Sequence, residues 1–300
     1  DNLDAQAIAE ALLLVREPSY HHVSEPDLIQ IRELCRLRGR LVKKASQCKN
    51  QAVRDMDVLC RGYTNLFSDV FSPSSIAVMK DAVRTTRLFE TDVENLTKIL
   101  SKYMPRPTAV VKAGKLQVLF QNAVIPEHMK EICVLELHMV IQQYELLKLQ
   151  VKRIERRIEM LVKDTNTRLL TIPGIGILTA GTILGELGNL SRFTSINQLT
   201  AFAGLDPSVM ESGRSRRTGH ISKRGSPMLR EALYGAALSA SRANPVCQQF
   251  YQRLKAKGKH HKVCMVAIAR KLLHIAYSVE TKHRDFYVPT YITEPQPKTT

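Results

Sequence analysis

Apolar residues recur at helical spacing along most of the chain, and the longest regular row lies between Cys133 and Leu161. Cys133, Leu137, Val140, Tyr144, Leu147, Val151, Ile154, Ile158 and Leu161 follow one another at alternating intervals of four and three. This rhythm predicts one helix over 129–165 whose apolar seam needs a helical partner, as in a coiled coil. Lys148, Arg153, Glu155, Arg156 and Glu159 flank the seam. The partner stays open at this level: the amphipathic helix predicted over 27–60, a second protomer, or both. In that earlier helix Pro26 marks the start, and the Arg and Lys positions read first as a solvated face. At the start of the chain, Leu3, Ala7, Ile8, Ala11 and Leu12 predict a helix with Asp1 and Asp4 on one face. Two carboxylates so placed can share a metal ion, or can simply favour the positive end of the helix dipole. Residues 17–26 read as a loop, 76–100 as one or two shorter helices, and the proline-bracketed stretch 105–128 as a linker.

Beyond residue 165 the pattern changes. Pro173-Gly174-Ile175-Gly176, followed by a helical run with Ala180 and Gly181, predicts a helix-hairpin-helix turn. Gly174 and Gly176 would free the backbone to offer N–H groups to a phosphate at the second helix's N-terminus. A short helix capped by Thr194 or Ser195 should end at Gly204. Between Pro207 and Pro227 no apolar period survives, which predicts a loop or short hairpin displayed on the surface. Three further helices should follow. The fold class is therefore mainly α.

Composition adds a partner. The chain has 300 residues, 44% of them apolar, and a formal charge of +16. Such an excess reads as an electrostatic footprint for nucleic acid. From Thr171 onward there are 18 Lys and Arg against 7 Asp and Glu, so this part carries +11 of the total. Arg214, Arg216, Arg217, Lys223, Arg224 and Arg230 surround Ser212, Ser215 and Ser222, while Lys257, Lys259 and Lys262 form a second cluster with Lys255, His260 and His261. Guanidinium groups bind a phosphodiester and stabilise charge that develops on its oxygens. By spacing alone the first cluster reads rather as a solvated DNA-contacting loop with no reacting serine. No Cys-x-x-Cys pair occurs among the six cysteines, which read as buried reduced thiols, and the tandem His pair has no neighbouring acidic or Cys ligand. No apolar run approaches ~18 residues, so neither a membrane nor a secreted fate is expected.

In combination these motifs resemble a family. Asp-x-x-Asp-Ala on a helix, the long heptad helix, "IPGIG" followed by Thr179-Ala180, "QLTAFAGL", "ESGRSRRTGHISKRG" and "NPVCQQFYQRLKAKGK" are similar to the DEDD insertion-sequence transposases, relatives of the pilin-gene invertase, over residues 1 to about 290. The resemblance implies a RuvC-like, RNase H-type domain with four acids that bind Mg²⁺, of which Asp1 and Asp4 match the last two; the other two match nothing here. It implies a nucleophilic serine, for which Ser212 before Gly213 fits best. Many relatives carry two adjacent serines there, and Glu211 stands in place of one, which keeps Ser208 and Ser215 in view. It also implies double-stranded DNA as substrate, a structured guide RNA, a homodimer or tetramer through the coiled coil, and a bacterial or archaeal cytoplasm.

The implied organisation is the last helix of a truncated RuvC-like domain at 1–16, a helical region at 17–104, a linker at 105–128, the coiled-coil helix at 129–165, a helix-hairpin-helix transposase domain at 166–290 and a disordered tail at 291–300. The implied activity is cutting and rejoining of DNA through a phosphoserine link, with Mg²⁺-bound acids orienting the phosphate. The fragment alone should then be inactive. Two other functions fit the same residues: a DNA- or RNA-binding fragment in which no serine reacts, and a coiled-coil assembly scaffold. If the seam holds protomers together, Leu147→Lys should lower the oligomeric order.

Overall fold

The computed structural model describes residues 26–84, 92–123, 125–212 and 215–288, and for 82–84, 127–128, 207–212 and 215–220 the backbone alone. Asp1, Asp4 and the predicted tail at 291–300 lie outside the described residues. The chain divides into two compact units, one of residues 37–156 and one of 1–36 together with 157–300. The fold is mainly α, as expected, with one two-stranded hairpin.

The first unit is built on two long helices, α1 (Pro26–Leu59) and α5 (Glu127–Asp164), each of which also runs into the second unit. Within 37–156 they run antiparallel. Gln51 Nε2 donates to Glu136, Cys48 Sγ contacts Gln143 at 3.9 Å, and Arg38 pairs with Glu155 at 2.7 Å, so positions fall on one helix as they rise on the other. Cys133, Leu137, Val140 and Tyr144 of the predicted seam are buried with Cys48, Ala52, Met56 and Leu59 of α1. Leu147 packs half-buried against the same core. The seam's partner inside this unit is thus the chain's own α1.

Helices α2 (Pro73–Arg84), α3 (Val93–Leu100) and α4 (Arg106–Gln121) complete that core. The linker expected at 105–128 is mostly helix α4. Its prolines sit at the N-terminus, where a missing N–H costs nothing, and Ala109, Ala113, Leu116 and Phe120 form a buried row. Tyr63 is fully buried and its hydroxyl meets Ser75 Oγ at 2.9 Å; burial pushes its ionisation upward.

The second unit centres on α6 (Ile177–Leu187), α7 (Ile196–Phe202), β1 (Pro207–Ser212), β2 (Ser215–Ile221), α8 (Pro227–Ala243), α9 (Pro245–Ala256) and α10 (His261–Thr281). The small residues of α6 serve close packing. A Cβ on Gly181 would stand 3.0 Å from Ile158, and one on Gly185 2.7 Å from the backbone of Arg32. Arg36 clasps the buried Glu186 carboxylate of α6 along one guanidinium edge, Nε donating at 2.8 Å and Nη2 at 3.1 Å, and that pairing raises the Arg36 pKa. Helices α8, α9 and α10 share a core of Leu229, Leu233, Ala237, Cys247, Ile268, Leu272 and Leu273. Near the end of α10, Glu280 accepts from the Arg168 and Leu169 amides at 2.8 and 3.0 Å and from the Thr167 hydroxyl, closing the 3₁₀ turn Arg168–Thr171.

Candidate nucleic-acid interface

The basic segment after Pro207 forms an antiparallel hairpin. Its register pairs Val209 with Thr218, Met210 with Arg217, Glu211 with Arg216 and Ser212 with Ser215, after an irregularity between Pro207 and Val209. Residues opposite each other in such a ladder share a face, and the face alternates along the strand. Ser212, Ser215, Met210 and Arg217 therefore occupy one face, and Glu211, Arg216, Val209 and Thr218 the other. Ser212 and Ser215 form the last pair before Gly213 and Arg214, which lie outside the described residues.

The base of the hairpin is pinned. Ser222 donates its amide to the Asp206 carbonyl at 2.9 Å and its hydroxyl to the Asp206 carboxylate, and the Lys223 amide donates to Gly204 O at 3.2 Å. Gly204 has φ +65°, and a Cβ there would lie 2.6 Å from the Gly225 amide nitrogen. Arg230, expected to contact nucleic acid, is instead half-buried and ties this base together: Nη1 donates to Gly225 O at 2.6 Å and to Ala203 O at 3.4 Å. Lys223 and Arg224 are exposed beside it. Ser222, read as one serine of the cluster, is engaged by Asp206.

The glycine turn splits into two roles. Gly174, with φ +99°, packs against α8, where a Cβ would stand 2.6 to 2.8 Å from Ala240, so it is a contact glycine rather than a phosphate cradle. Gly176 is the exposed N-cap of α6, with open space above it and no side-chain cap. The first intrahelical bond runs from Ala180 N to Gly176 O, and the amides of Ile177, Leu178 and Thr179 precede it. The element before the turn is a four-residue 3₁₀ helix, shorter than the first arm of a helix-hairpin-helix. Asn244, fully buried, holds the arrangement: it caps α9 and its amide reaches Pro173 O at 3.4 Å. The sequence reading missed it, although Asn before Pro is a helix-start signal.

At the α9–α10 turn Lys255, Lys257, Lys259, His260, His261 and Lys262 are all exposed. The His pair has local work: His260 Nδ1 accepts from the Lys262 amide at 3.3 Å, and His261 Nδ1 meets the Tyr251 hydroxyl at 3.1 Å. On α10, His274 bonds Thr200 at 3.0 Å, and burial together with Arg270 and Lys271 lowers its pKa. Arg192 stacks over Phe193 and Phe202, 4.7 and 4.9 Å from the ring centres, and burial lowers its pKa. Among the described residues no group of three or more His, Cys, Asp or Glu side chains could hold a metal ion. No described helix is long and apolar enough to cross a membrane.

Comparison with known proteins bears on the same stretch. Residues 166–252 match the Transposase IS116/IS110/IS902 family. The chain is 40% identical over 120 residues to the pilin gene-inverting protein of Moraxella bovis, covering 39% of this chain and 37% of that protein. It is 31% identical over 194 residues to the transposase for insertion sequence element IS1328 of Yersinia enterocolitica, covering 60% of this chain and 53% of that protein. It is 29% identical over 111 residues to the insertion element IS110 uncharacterized 43.6 kDa protein of Streptomyces coelicolor, covering 37% of this chain and 27% of that protein. The chain thus spans roughly a quarter to a half of these relatives' length. The stretch that matches this family, residues 166–252, holds the glycine turn, the hairpin with Ser212 and the helices on either side of it in the chain.

Proposed function

We propose that this chain is the DNA-gripping and nucleophilic part of a transposase that cuts and rejoins DNA through Ser212. The observation that carries the reading is the hairpin register, which sets Ser212 in the last pair of the ladder, on the same face as Arg217 and above a base that Asp206, Gly204 and Arg230 hold fixed. A nucleophile held on a rigid support loses little entropy on meeting its phosphate. The Ser212 oxygen would attack phosphorus and form an O–P bond as one P–O bond of the strand breaks. The departing strand takes a proton as its hydroxyl forms. Because a diester replaces a diester, the link keeps the energy needed to rejoin the strand.

Around that centre, Arg217 would meet the non-bridging oxygens, with Arg216 on the opposite face of the ladder and Arg214 as a further phosphate contact, while Lys223, Arg224, Lys257, Lys259 and Lys262 would supply salt-dependent grip on the backbone. The open N-terminus of α6 at Gly176 suits one further phosphate. Asp1 and Asp4 are proposed as two Mg²⁺ ligands that two further acids would complete; the ion would help orient the phosphate. A structured guide RNA, assembly into a homodimer or tetramer, and a cytoplasmic setting belong to the same proposal.

The test incubates the protein, in a form that carries the proposed RuvC-like domain whole, with element DNA, Mg²⁺ and candidate guide RNA, and follows protein–DNA adducts on denaturing gels. An adduct present in wild type and absent in Ser212→Ala is expected. An adduct that persists moves the nucleophile to Ser208 or Ser215. Salt-steep binding with no adduct in any variant replaces the reading by a binding module.

A further inference from the structure

Arg192 holds a half-buried charge without an anion to meet it. Its guanidinium lies 4.7 Å from the ring centre of Phe193 and 4.9 Å from that of Phe202, two rings that meet edge to face at 5.4 Å. Burial lowers its pKa, so the charged form is kept at a cost. Nε is enclosed with no hydrogen-bond partner, and among the described residues no acidic side chain pairs with the group. Arg38 and Arg230, also half-buried, are treated differently: Arg38 pairs with Glu155, and Arg230 donates to Gly225 O and Ala203 O. Stacking on two rings offsets part of the cost of desolvating a guanidinium. The four N–H donors on Nη1 and Nη2 are left for a partner.

The place of Arg192 in the fold selects that partner. Phe202 is 43% exposed, and its backbone lies under the hairpin, where a Cβ on Gly225 would collide with Phe202 O. Exposed Lys223 and Arg224 continue the same foot. A surface with several cations around one unpaired guanidinium suits a polyanion better than a single carboxylate. We propose that Arg192, seated on Phe193 and Phe202, grips one backbone phosphate of the DNA strand that the hairpin presents to Ser212. This inference rests on the proposed function and adds to it a residue outside the basic clusters. From Pro207 to Ser212 the strand rises ~17 Å, about five steps of 3.4 Å along one DNA strand. Arg192 therefore meets the strand several nucleotides from the reacting phosphorus and touches no reacting atom. Its part is to fix where the strand lies. An arginine suits that part because its fork meets two phosphate oxygens at once while its plane stays on the rings.

Arg192→Met tests it, because a methionine keeps the rings covered without the charge. Binding of double-stranded element DNA is measured against salt with the same protein form and guide RNA as above, with Ser212→Ala in both arms so that no strand is cut. The Met variant should bind roughly tenfold more weakly at ~0.1 M salt, and its slope of log affinity against log salt should flatten by about one. A methylphosphonate moved along each strand should find one phosphate whose neutralisation weakens the protein with Arg192 and leaves the Met variant unaffected. Melting of the Met variant should come at or above that of its parent, since a desolvated charge is gone. An unchanged salt slope, the absence of such a phosphate, or a lower melting temperature, which would assign the guanidinium to the fold, each overturns the inference. A loss of affinity confined to the guide RNA overturns it as well. None of these readouts uses the Ser212 chemistry, so their failure is distinct from failure of the adduct experiment; element DNA that neither protein binds would overturn both.

Discussion

Gly204 and Gly225 meet backbone to backbone at the foot of the hairpin, where a Cβ on Gly204 would stand 2.6 Å from the Gly225 amide nitrogen and one on Gly225 only 2.0 Å from Phe202 O. Gly225→Ala should therefore destabilise the chain by about 1–3 kcal/mol. It should also weaken the DNA adduct beyond what the folded fraction explains, because the support of Ser212 shifts. Gly176→Ala, with open space around it, should leave thermal stability within about 0.5 kcal/mol. Melting curves of both variants check the contrast, and equal losses would refute it.

The two adjacent arginines of β2 should separate by face. Arg217 shares the ladder face of Ser212, and Arg216 stands opposite Glu211 on the other. Arg217→Ala should lower the rate of adduct formation by ~10²-fold, the scale for losing one donor to a transition-state oxyanion. Arg216→Ala should act chiefly on affinity. Single-turnover rates at saturating DNA distinguish the two, and matching rate losses would count against the register argument.

Asp55 gives a pH signature. Its side chain is buried, Oδ2 has no hydrogen-bond partner among the described residues, and burial, with Glu136 nearby, raises its pKa. A folded pKa above the unfolded one means that the contribution is fully present below the ordinary carboxylate range and is lost as pH rises through the folded value. Asp55→Asn should therefore raise the urea midpoint at neutral pH more than at acid pH. A gain of the same size at both would show that ionisation of Asp55 is not the cause.

Cys60 and Cys247 are buried thiols pushed up to about 11 by burial, and the other four cysteines are buried as well. Native protein should react with Ellman's reagent negligibly at pH 8, and denatured protein at all six positions. A fast-reacting thiol in the native state would contradict this packing.

Leu147→Lys, expected from the heptad row alone to lower oligomeric order, should act on the fold instead. Leu147 packs half-buried on the core of its own unit. Burying a charge there should lower the melting temperature before any change in assembly. A variant with unchanged stability and reduced mass would restore the seam as a contact between copies.

Much of the architecture was legible because it rests on local periodicity. The row through 133–161 is a one-dimensional pattern, and a helix follows where such a pattern runs uninterrupted. The proline-rich start of α4 misled for a local reason: Pro at the first helical turn resembles a linker until the buried Ala109 and Ala113 are seen. At the candidate site, the basic composition and the choice of Ser212 came from motif. The face it shares with Arg217 came from strand pairing, which joins residues across a turn and leaves no local trace when alternation is weak.

The sequence by itself determined that this protein is mainly helical, strongly basic toward its C-terminus, and similar in its motif order to DNA transposases, because charge, spacing and motif are properties of the chain in one dimension. Only the tertiary structure decided which side of α5 meets its own core, that Arg230 and Ser222 are engaged in holding the hairpin, and that Gly174 packs while Gly176 stays open. Each of those outcomes depends on which distant backbone comes within contact distance, and that is set by close packing rather than by any residue's own neighbours in the chain.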